Sequence, residues 1–305
     1  MNTIGLVFFG TSDFAVPILE RLAADGRFEV RAVVTQPDRP VGRKAVLTEP
    51  PAKIAAKQLG LTVLQFEQVK SDEAYEALKA VPMDAAAVAS FGQIIPQRVL
   101  DLAPKGFINV HASILPAYRG ASPIAAAIKN GDSETGVTIM LMDALMDHGP
   151  ALSVAKEPVN AEDTAMTLSA RLSRLGADLL PDTIVGYIEG MIKPQEQEHE
   201  KATKVKLLTR EDGLIDWTQT ADAIERMIRA YDPWPGAYTM VDGKRLKILK
   251  ARLGQATTER SVSFYKTNDG QLAAACGGGT SLVIDRIQPE GKPAMSGQAY
   301  ANGRR

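Results

Sequence analysis

Short apolar runs alternate with amphipathic stretches through the first half of the chain. "IGLVFFG" (4–10) is apolar on both faces and reads as a buried strand ended by Gly10. "DFAVPILERLAADG" (13–26) follows with helical spacing; Asp13 is placed to cap it and Gly26 to stop it. "EVRAVVTQ" predicts the next strand. "PDRPVGRKAVLTEP" reads as a loop, broken by Pro37, Pro40 and Gly42 and charged by Arg39, Arg43 and Lys44. "PPAKIAAKQLG" predicts a helix with proline in its first turn. "LTVLQ", "DAAAVAS", "FINVH" and "GVTIMLMD" are further strands, most of them separated by helical segments. Alternation of this kind predicts a parallel sheet covered on both faces, with ligands beyond the carboxyl ends of its strands.

The pattern changes after Pro150. "EDTAMTLSARLSRLGADLLPDTIVGYIEG" reads as one long amphipathic helix with a break expected at Pro181. Residues 191–210 are polar and charged and read as a linker. Beyond them lie one helix, "TADAIERMIRAY", and short strands with hairpin turns at Asp242-Gly243 and Asp269-Gly270. The expected organisation is an α/β domain over 1–190, a linker over 191–210 and a small β-rich domain, of barrel type, over 211–305. "GGG" at 277–279 reads as a plain turn, and Tyr231 and Trp234 in "YDPWPG" suit either base stacking or packing of the small domain.

Composition narrows the class. The 305 residues are 45% hydrophobic and 23% charged, as in an ordinary soluble protein. No run approaches 18 apolar residues, and the first residues lack the basic and small-residue marks of a signal peptide, so cytoplasmic residence is expected and membrane association is not. A single cysteine, Cys276, excludes internal disulfides and fits a reducing compartment. With only His111, His148 and His199 beside it, no metal-ligand spacing can be drawn, and no metal is expected. The net charge of −1 divides unevenly: residues 201–305 carry +6 and residues 1–200 carry −7. Such asymmetry suits a nucleic-acid-facing half, and equally a scatter of solvated charges.

Candidate chemistry gathers in "INVHASILPAYRGASPI", residues 108–124. Alternation puts Asn109 and His111 on one face of a strand, at its carboxyl end. One can donate and accept hydrogen bonds; the other titrates near neutrality. Asp143 and Asp147, in "MDALMDHGP", follow the next apolar strand, and either carboxylate could orient the imidazole. Ser113 stands only two residues from His111 in a stretch without a nucleophile elbow, which argues against a serine nucleophile. No G-x-G-x-x-G follows the first strand and no phosphate-binding P-loop is present, which disfavours a dinucleotide-dependent oxidoreductase and an NTPase.

Asn109-x-His111, "SILPAYRGASPI" and Asp147 together resemble the folate-dependent formyltransferases. "FFGTSDFAVPILERL", "VVTQPDRPVGR", "DWTQTADAIERMIRAYDPWPGAY" and "IQPEGKPAMSGQAY" extend the resemblance from about residue 4 to 300, on the branch that formylates an aminoacyl-tRNA. The resemblance implies a Rossmann-like catalytic domain followed by an OB-like barrel. It implies 10-formyltetrahydrofolate as formyl donor, and the α-amine of methionine on initiator tRNA as acceptor, in support of translation initiation. It implies that Asn109, His111 and Asp147 are catalytic and that Ser113, Ile114, Leu115 and Pro116 border the folate. The loop residues Arg39, Arg43 and Lys44, and Lys204, Lys206 and Arg210 at the basic end of the linker, are then the expected tRNA contacts, in a chain expected to work as a monomer.

Three positions depart from the family's pattern. Ala117 stands where a basic residue is usual, Leu145 where a glycine is, and His148 where a threonine is. Two rival readings are a formyltransferase for a small amine, such as an amino-sugar nucleotide, and a nucleic-acid-binding module without catalysis. The first has no need of a basic loop and a positive second half; the second leaves Asn109, His111 and Asp147 without purpose.

Overall fold

The structure, a computed structural model, describes residues 3–42, 45–256 and 264–303. It divides into two compact units. The first comprises residues 1–123, 134–158 and 169–205; the second comprises 124–133, 159–168 and 206–305.

Strands of the first unit, in chain order, are β1 (Ile4–Gly10), β2 (Phe28–Thr35), β3 (Arg39–Val41), β4 (Val46–Thr48), β5 (Val63–Gln65), β6 (Ala85–Ala89), β7 (Phe107–His111), β8 (Arg119–Gly120), β9 (Glu134–Leu141), β10 (Ala151–Pro158) and β11 (Lys204–Val205). Seven of them form one sheet in the order β10-β9-β7-β6-β1-β2-β5. From β7 to β5 the strands run parallel, as the alternation of apolar runs and helices predicts. The order reverses at β1, where β2 and β6 lie on either side, so the carboxyl ends of these strands form the crevice expected of a Rossmann-like sheet. Residues 5–10 of β1 and all five residues of β6 are buried, which suits central strands covered on both faces. Leu6, Val7, Phe8, Phe9, Ile18, Leu19, Val33, Val34, Phe107 and Ile108 anchor this core.

Several expectations need correction. The sheet is mixed: β9 runs antiparallel to β7, with His111 opposite Thr138 and Ile108 opposite Leu141, and β10 returns antiparallel along β9. The 13–26 segment is not one helix capped by Asp13; a 3-10 turn over Asp13–Ala15 leads into a helix over Val16–Ala24 that has no side-chain cap. The long helix, Ala165–Ile188, runs through Pro181 without a break. The segment 37–50 contains an antiparallel pair, β3 with β4; Arg43 and Lys44 lie outside the described residues. Residues 191–205 are not free chain. Gln195 forms a backbone bridge with Ala151, and β11 pairs in parallel with β8.

The second unit adds β12 (Tyr238–Val241), β13 (Lys244–Leu253), β14 (Phe264–Lys266), β15 (Leu272–Cys276), β16 (Thr280–Pro289) and β17 (Met295–Ser296). They make an antiparallel sheet in the order β12-β13-β16-β15-β14, with β17 against β16. This is the OB-like second domain; among the described residues its strand path stays open. Asp242 and Gly243 both take positive φ (51° and 73°), the conformation a two-residue hairpin between right-twisted strands requires. A helix over Ala221–Ala230 starts at Thr220, whose hydroxyl accepts from the Ala223 N–H, and buries Ala221, Ile224, Met227 and Ile228. Trp217 meets Phe264 edge-to-face at 5.5 Å and donates its indole N–H to Thr239 at 3.1 Å.

Candidate active site

The two faces of β7 are divided as its alternation predicts. Val110 points at the long helix, where Gly176 lets the backbone come so close that a Cβ there would sit 2.6 Å from a Val110 methyl. Asn109 and His111 point to the opposite face. His111 is buried, 5% exposed, while Asn109 is half-buried, and its carboxamide has no hydrogen-bond partner among the described residues.

The turn after β7 closes on His111. Ser113 is fully buried; its hydroxyl donates to the Ala117 carbonyl at 2.6 Å. Thr138 of β9 braces the turn, donating to the Ser113 carbonyl (2.7 Å) and accepting from the Leu115 N–H (3.0 Å). Tyr118, held at φ 60°, then presents its carbonyl to His111 Nε2 at 3.1 Å. A carbonyl only accepts, so this bond assigns the ring hydrogen to Nε2 and leaves the lone pair on Nδ1.

Asp147 faces that Nδ1, with Oδ1 at 3.5 Å. It does not arrive as a strand end. Because β9 is antiparallel, its last residue lies level with Ile108, and the 142–150 loop has to turn back along β7 to reach His111. Asp147 takes a left-handed backbone (φ 51°) to do so, and its Oδ2 accepts from the Gly120 N–H at 2.7 Å. Glycine is required at 120. Its φ is 120°, and a Cβ would lie 2.0 Å from the Val205 carbonyl oxygen. Asp143, the other candidate, is turned away and accepts from His148 Nδ1 at 2.7 Å.

Burial pushes the His111 imidazole below its ordinary range, because the charged form loses its hydration. The carboxylate of Asp147 and the carbonyl of Tyr118 act the other way. Burial thus favours the neutral ring, and a proton reaching Nδ1 lands beside a carboxylate that stabilises it.

At the carboxyl ends of β1, β2 and β6 a second polar set lines the crevice. Thr11 and Gln36 both donate to the Phe91 carbonyl (2.8 and 3.1 Å), and the Ser12 hydroxyl meets that of Ser90 at 2.7 Å. Ser90 is another non-glycine residue with positive φ, 46°. Left-handed residues at Ser90, Tyr118 and Asp147 concentrate backbone strain around one crevice, a frequent mark of a functional site.

Of the residues expected to border a folate, Ile114, Leu115 and Pro116 are half-buried, whereas the Ser113 hydroxyl is committed inward. Of the expected tRNA contacts, Arg39, Lys204, Lys206 and Arg210 are exposed. Arg39 pairs with Glu67 (2.6 Å) and Lys206 with Asp212 (2.7 Å); the ammonium holds the Asp212 carboxyl down at about 2. Lys204 and Arg210 have no ionic partner among the described residues. Sequence reasoning passed over Tyr118, whose contribution is a backbone carbonyl, and Gln197, which looked like one more polar residue of a linker. Among the described residues no group of three or more His, Cys, Asp or Glu side chains is arranged to hold a metal, and no helix is long and apolar enough to cross a membrane.

Comparison with known proteins assigns the family. The formyl transferase family model matches residues 4–184, and the formyl transferase C-terminal domain model matches residues 207–305. The protein named methionyl-tRNA formyltransferase of Roseiflexus sp. (strain RS-1) is 47% identical over 302 residues, spanning 98% of this chain and 92% of its own. The chain belongs to the methionyl-tRNA formyltransferase family. It is a formyltransferase with a Rossmann-like first domain and an OB-like second one. Solved structures share the fold at lower identity. An N-formyltransferase from Helicobacter canadensis, in complex with folinic acid and dTDP-3-aminofucose, is 21% identical with a TM-score of 0.69, covering 94% of this chain and 100% of its own. HypX from Aquifex aeolicus, in complex with tetrahydrofolic acid, is 16% identical with a TM-score of 0.64; it covers 99% of this chain, which spans 47% of HypX.

Proposed function

We propose that the enzyme transfers a formyl group from 10-formyltetrahydrofolate to the α-amine of methionine carried on initiator tRNA. The observation that carries this reading is the placement of His111: buried, its Nε2 on the Tyr118 carbonyl, its Nδ1 facing Asp147, with the uncommitted amide of Asn109 on the same strand face. In the reaction the amine nitrogen attacks the formyl carbon, and a C–N bond forms as negative charge develops on the formyl oxygen. Asn109 donates to that oxygen, a contribution of roughly 100- to 1,000-fold. His111 accepts the amine's proton at Nδ1, worth roughly 100- to 10,000-fold, and Asp147 stabilises the imidazolium so formed. The bond from the formyl carbon to N10 of the folate then breaks, and the proton passes to that nitrogen. No covalent enzyme intermediate is needed.

Ile114, Leu115 and Pro116 wall the folate. The folate bound to solved relatives of the same fold supports a folate donor. Identity of 47% over nearly the full length to a protein named for methionyl-tRNA supports the tRNA acceptor, as does the +6 charge of residues 201–305. Arg39, Arg43, Lys44, Lys204, Lys206 and Arg210 contact tRNA phosphates in this reading, and the enzyme works as a monomer in the cytoplasm, without a metal. Formyl transfer from 10-formyltetrahydrofolate is the test, measured with methionyl-tRNA beside uncharged tRNA, free methionine and an amino-sugar nucleotide. Transfer to methionyl-tRNA alone is expected; preference for the sugar nucleotide would move the enzyme to the small-acceptor class.

A further inference from the structure

Gln197 lies in the stretch that looks like a linker, yet it is 8% exposed and every hydrogen-bonding position of its carboxamide is used. Nε2 donates to the Asp147 carbonyl at 3.0 Å and to the Gly149 carbonyl at 2.7 Å. Oε1 accepts from Arg119 Nε at 3.1 Å and Nη2 at 2.7 Å. The amide can point only one way, because a guanidinium only donates and carbonyls only accept. Arg119 is itself buried and held from behind. Its backbone N–H donates to the Thr203 carbonyl (2.9 Å), and Nη2 lies 2.8 Å from His199 Nδ1. The residue after it, Gly120, donates to the Asp147 carboxylate. Asp147 is thus held twice from neighbouring points: its carboxylate by Gly120 and its main chain by Gln197.

We propose that Gln197 is a positioning residue for formyl transfer: it straps the 147–149 main chain to Arg119 and so holds Asp147 in the left-handed turn that presents its carboxylate to His111. The inference rests on the reading of Asn109, His111 and Asp147 given above. Asp147 needs such a strap for two reasons. Its loop must double back from the far end of β9, and its backbone sits where a side chain is strained, so a loop left to itself relaxes toward φ < 0 and takes the carboxylate with it. Glutamine suits the task because it alone offers two donors and one double acceptor on an arm of this length. Glutamate would keep Arg119 but set an oxygen against two carbonyls, and alanine would take the Gln197 partner from both carbonyls and leave the Arg119 guanidinium with His199.

Steady-state transfer from 10-formyltetrahydrofolate to methionyl-tRNA tests it, with the full chain and with circular dichroism to confirm folding. Gln197→Ala is expected to lower kcat about 100-fold, the cost of misplacing a catalytic group by about 1 Å, and to leave KM for both substrates within a few-fold. Gln197→Glu should fall in the same direction, and it carries the test if the alanine variant does not fold. Placed in an Asp147→Asn background, either substitution should cost little more, because both act through one carboxylate. The pH inflection that reports His111 should move to lower pH in the Gln197 variants, since the groups facing its ring are Asp147 and the Tyr118 carbonyl, and the first has withdrawn. A merely structural strap would lower the melting temperature, act equally in both backgrounds and leave the inflection in place; that result overturns the inference. If His111→Ala and Asp147→Asn keep the parent's turnover, the reading of the site fails first. If those two fail while the Gln197 variants stay within a few-fold of the parent kcat, only this inference fails.

Discussion

His111 has 5% of its surface exposed and an acceptor facing each ring nitrogen, whereas Arg39, Lys204, Lys206 and Arg210 stand in solvent with at most one exposed or half-exposed carboxylate apiece. Both sets are polar, and the proposed function needs both, but the physics is opposite. Around His111 water is excluded, so each oxygen or nitrogen shifts proton affinity and charge strongly, and a single displaced atom is felt. On the basic surface the charges are screened, long side chains swing freely, and each contributes a small, similar and salt-dependent share. A catalytic residue is therefore expected to behave as an irreplaceable part, and a tRNA-contacting residue as one of several.

The largest expected effect is at the buried set. His111→Ala and Asn109→Ala should each lower turnover by about two to three orders of magnitude while folate binding survives, because these groups act mainly in the transition state. Asp147→Asn should cost a similar factor by removing the charge beside Nδ1. Turnover within a few-fold of the parent for Asp147→Asn would dissolve the contrast by making the buried carboxylate a mere loop brace.

Gly120→Ala comes next. It sets a Cβ against the Val205 carbonyl, strains a backbone at φ 120° and displaces the donor to Asp147. Stability should fall by about 1–3 kcal/mol, read as a drop in urea midpoint, and the residual folded enzyme should be nearly inactive. Full activity would show that the β8 turn can shift without carrying Asp147 along.

On the exposed side, replacing Lys204, Lys206 and Arg210 together by Ala should flatten the dependence of log tRNA affinity on log salt by roughly 0.7–0.9 for each contact that was real. It should weaken binding to all tRNAs alike and leave kcat at saturation unchanged. A fall in kcat instead of the salt slope would mean that this surface takes part in the chemistry. Arg39→Ala, which frees Glu67, should give the smallest change and should spare folate binding.

The pH dependence of stability sharpens the same comparison. The folded-state affinity of His111 for protons lies below the usual 6.5 because of burial. Between 6.5 and that lower value the unfolded chain binds the proton and the folded one does not, so stability is fully present above pH 6.5 and falls as pH falls below it, with a slope of at most about 1.4 kcal/mol per pH unit. The loss stops growing once the folded state is protonated too. His111→Gln should remove this slope from urea midpoints measured between pH 7 and 5; an unchanged slope would show that His111 does not carry a buried neutral ring.

Reading the chain recovered the alternation of β1, β2, β6 and β7, the pairing of Asn109 with His111 on one face, and the hairpin at Asp242-Gly243. These are local: period, turn chemistry and side-chain direction depend on neighbours a few residues away. The reversed direction of β9 was not legible, since an apolar run states that a strand is buried and not which way it runs. That reversal separates Asp143 from Asp147: from the end of an antiparallel β9 only a loop that doubles back reaches His111, and the fold selects Asp147 while pairing Asp143 with His148.

By itself the sequence determined the two-domain α/β and antiparallel-β plan, the Asn-x-His pair at a strand's carboxyl end and, through long shared motifs, the family. The tertiary structure alone decided which atoms face one another: the Tyr118 carbonyl on Nε2, Asp147 on Nδ1, and Gln197 joining Arg119 to a loop some 50 residues earlier in the chain. The physical reason is that a period records which face a side chain takes, whereas hydrogen bonds between distant segments depend on strand direction and backbone carbonyls, and neither leaves a residue type behind in the sequence.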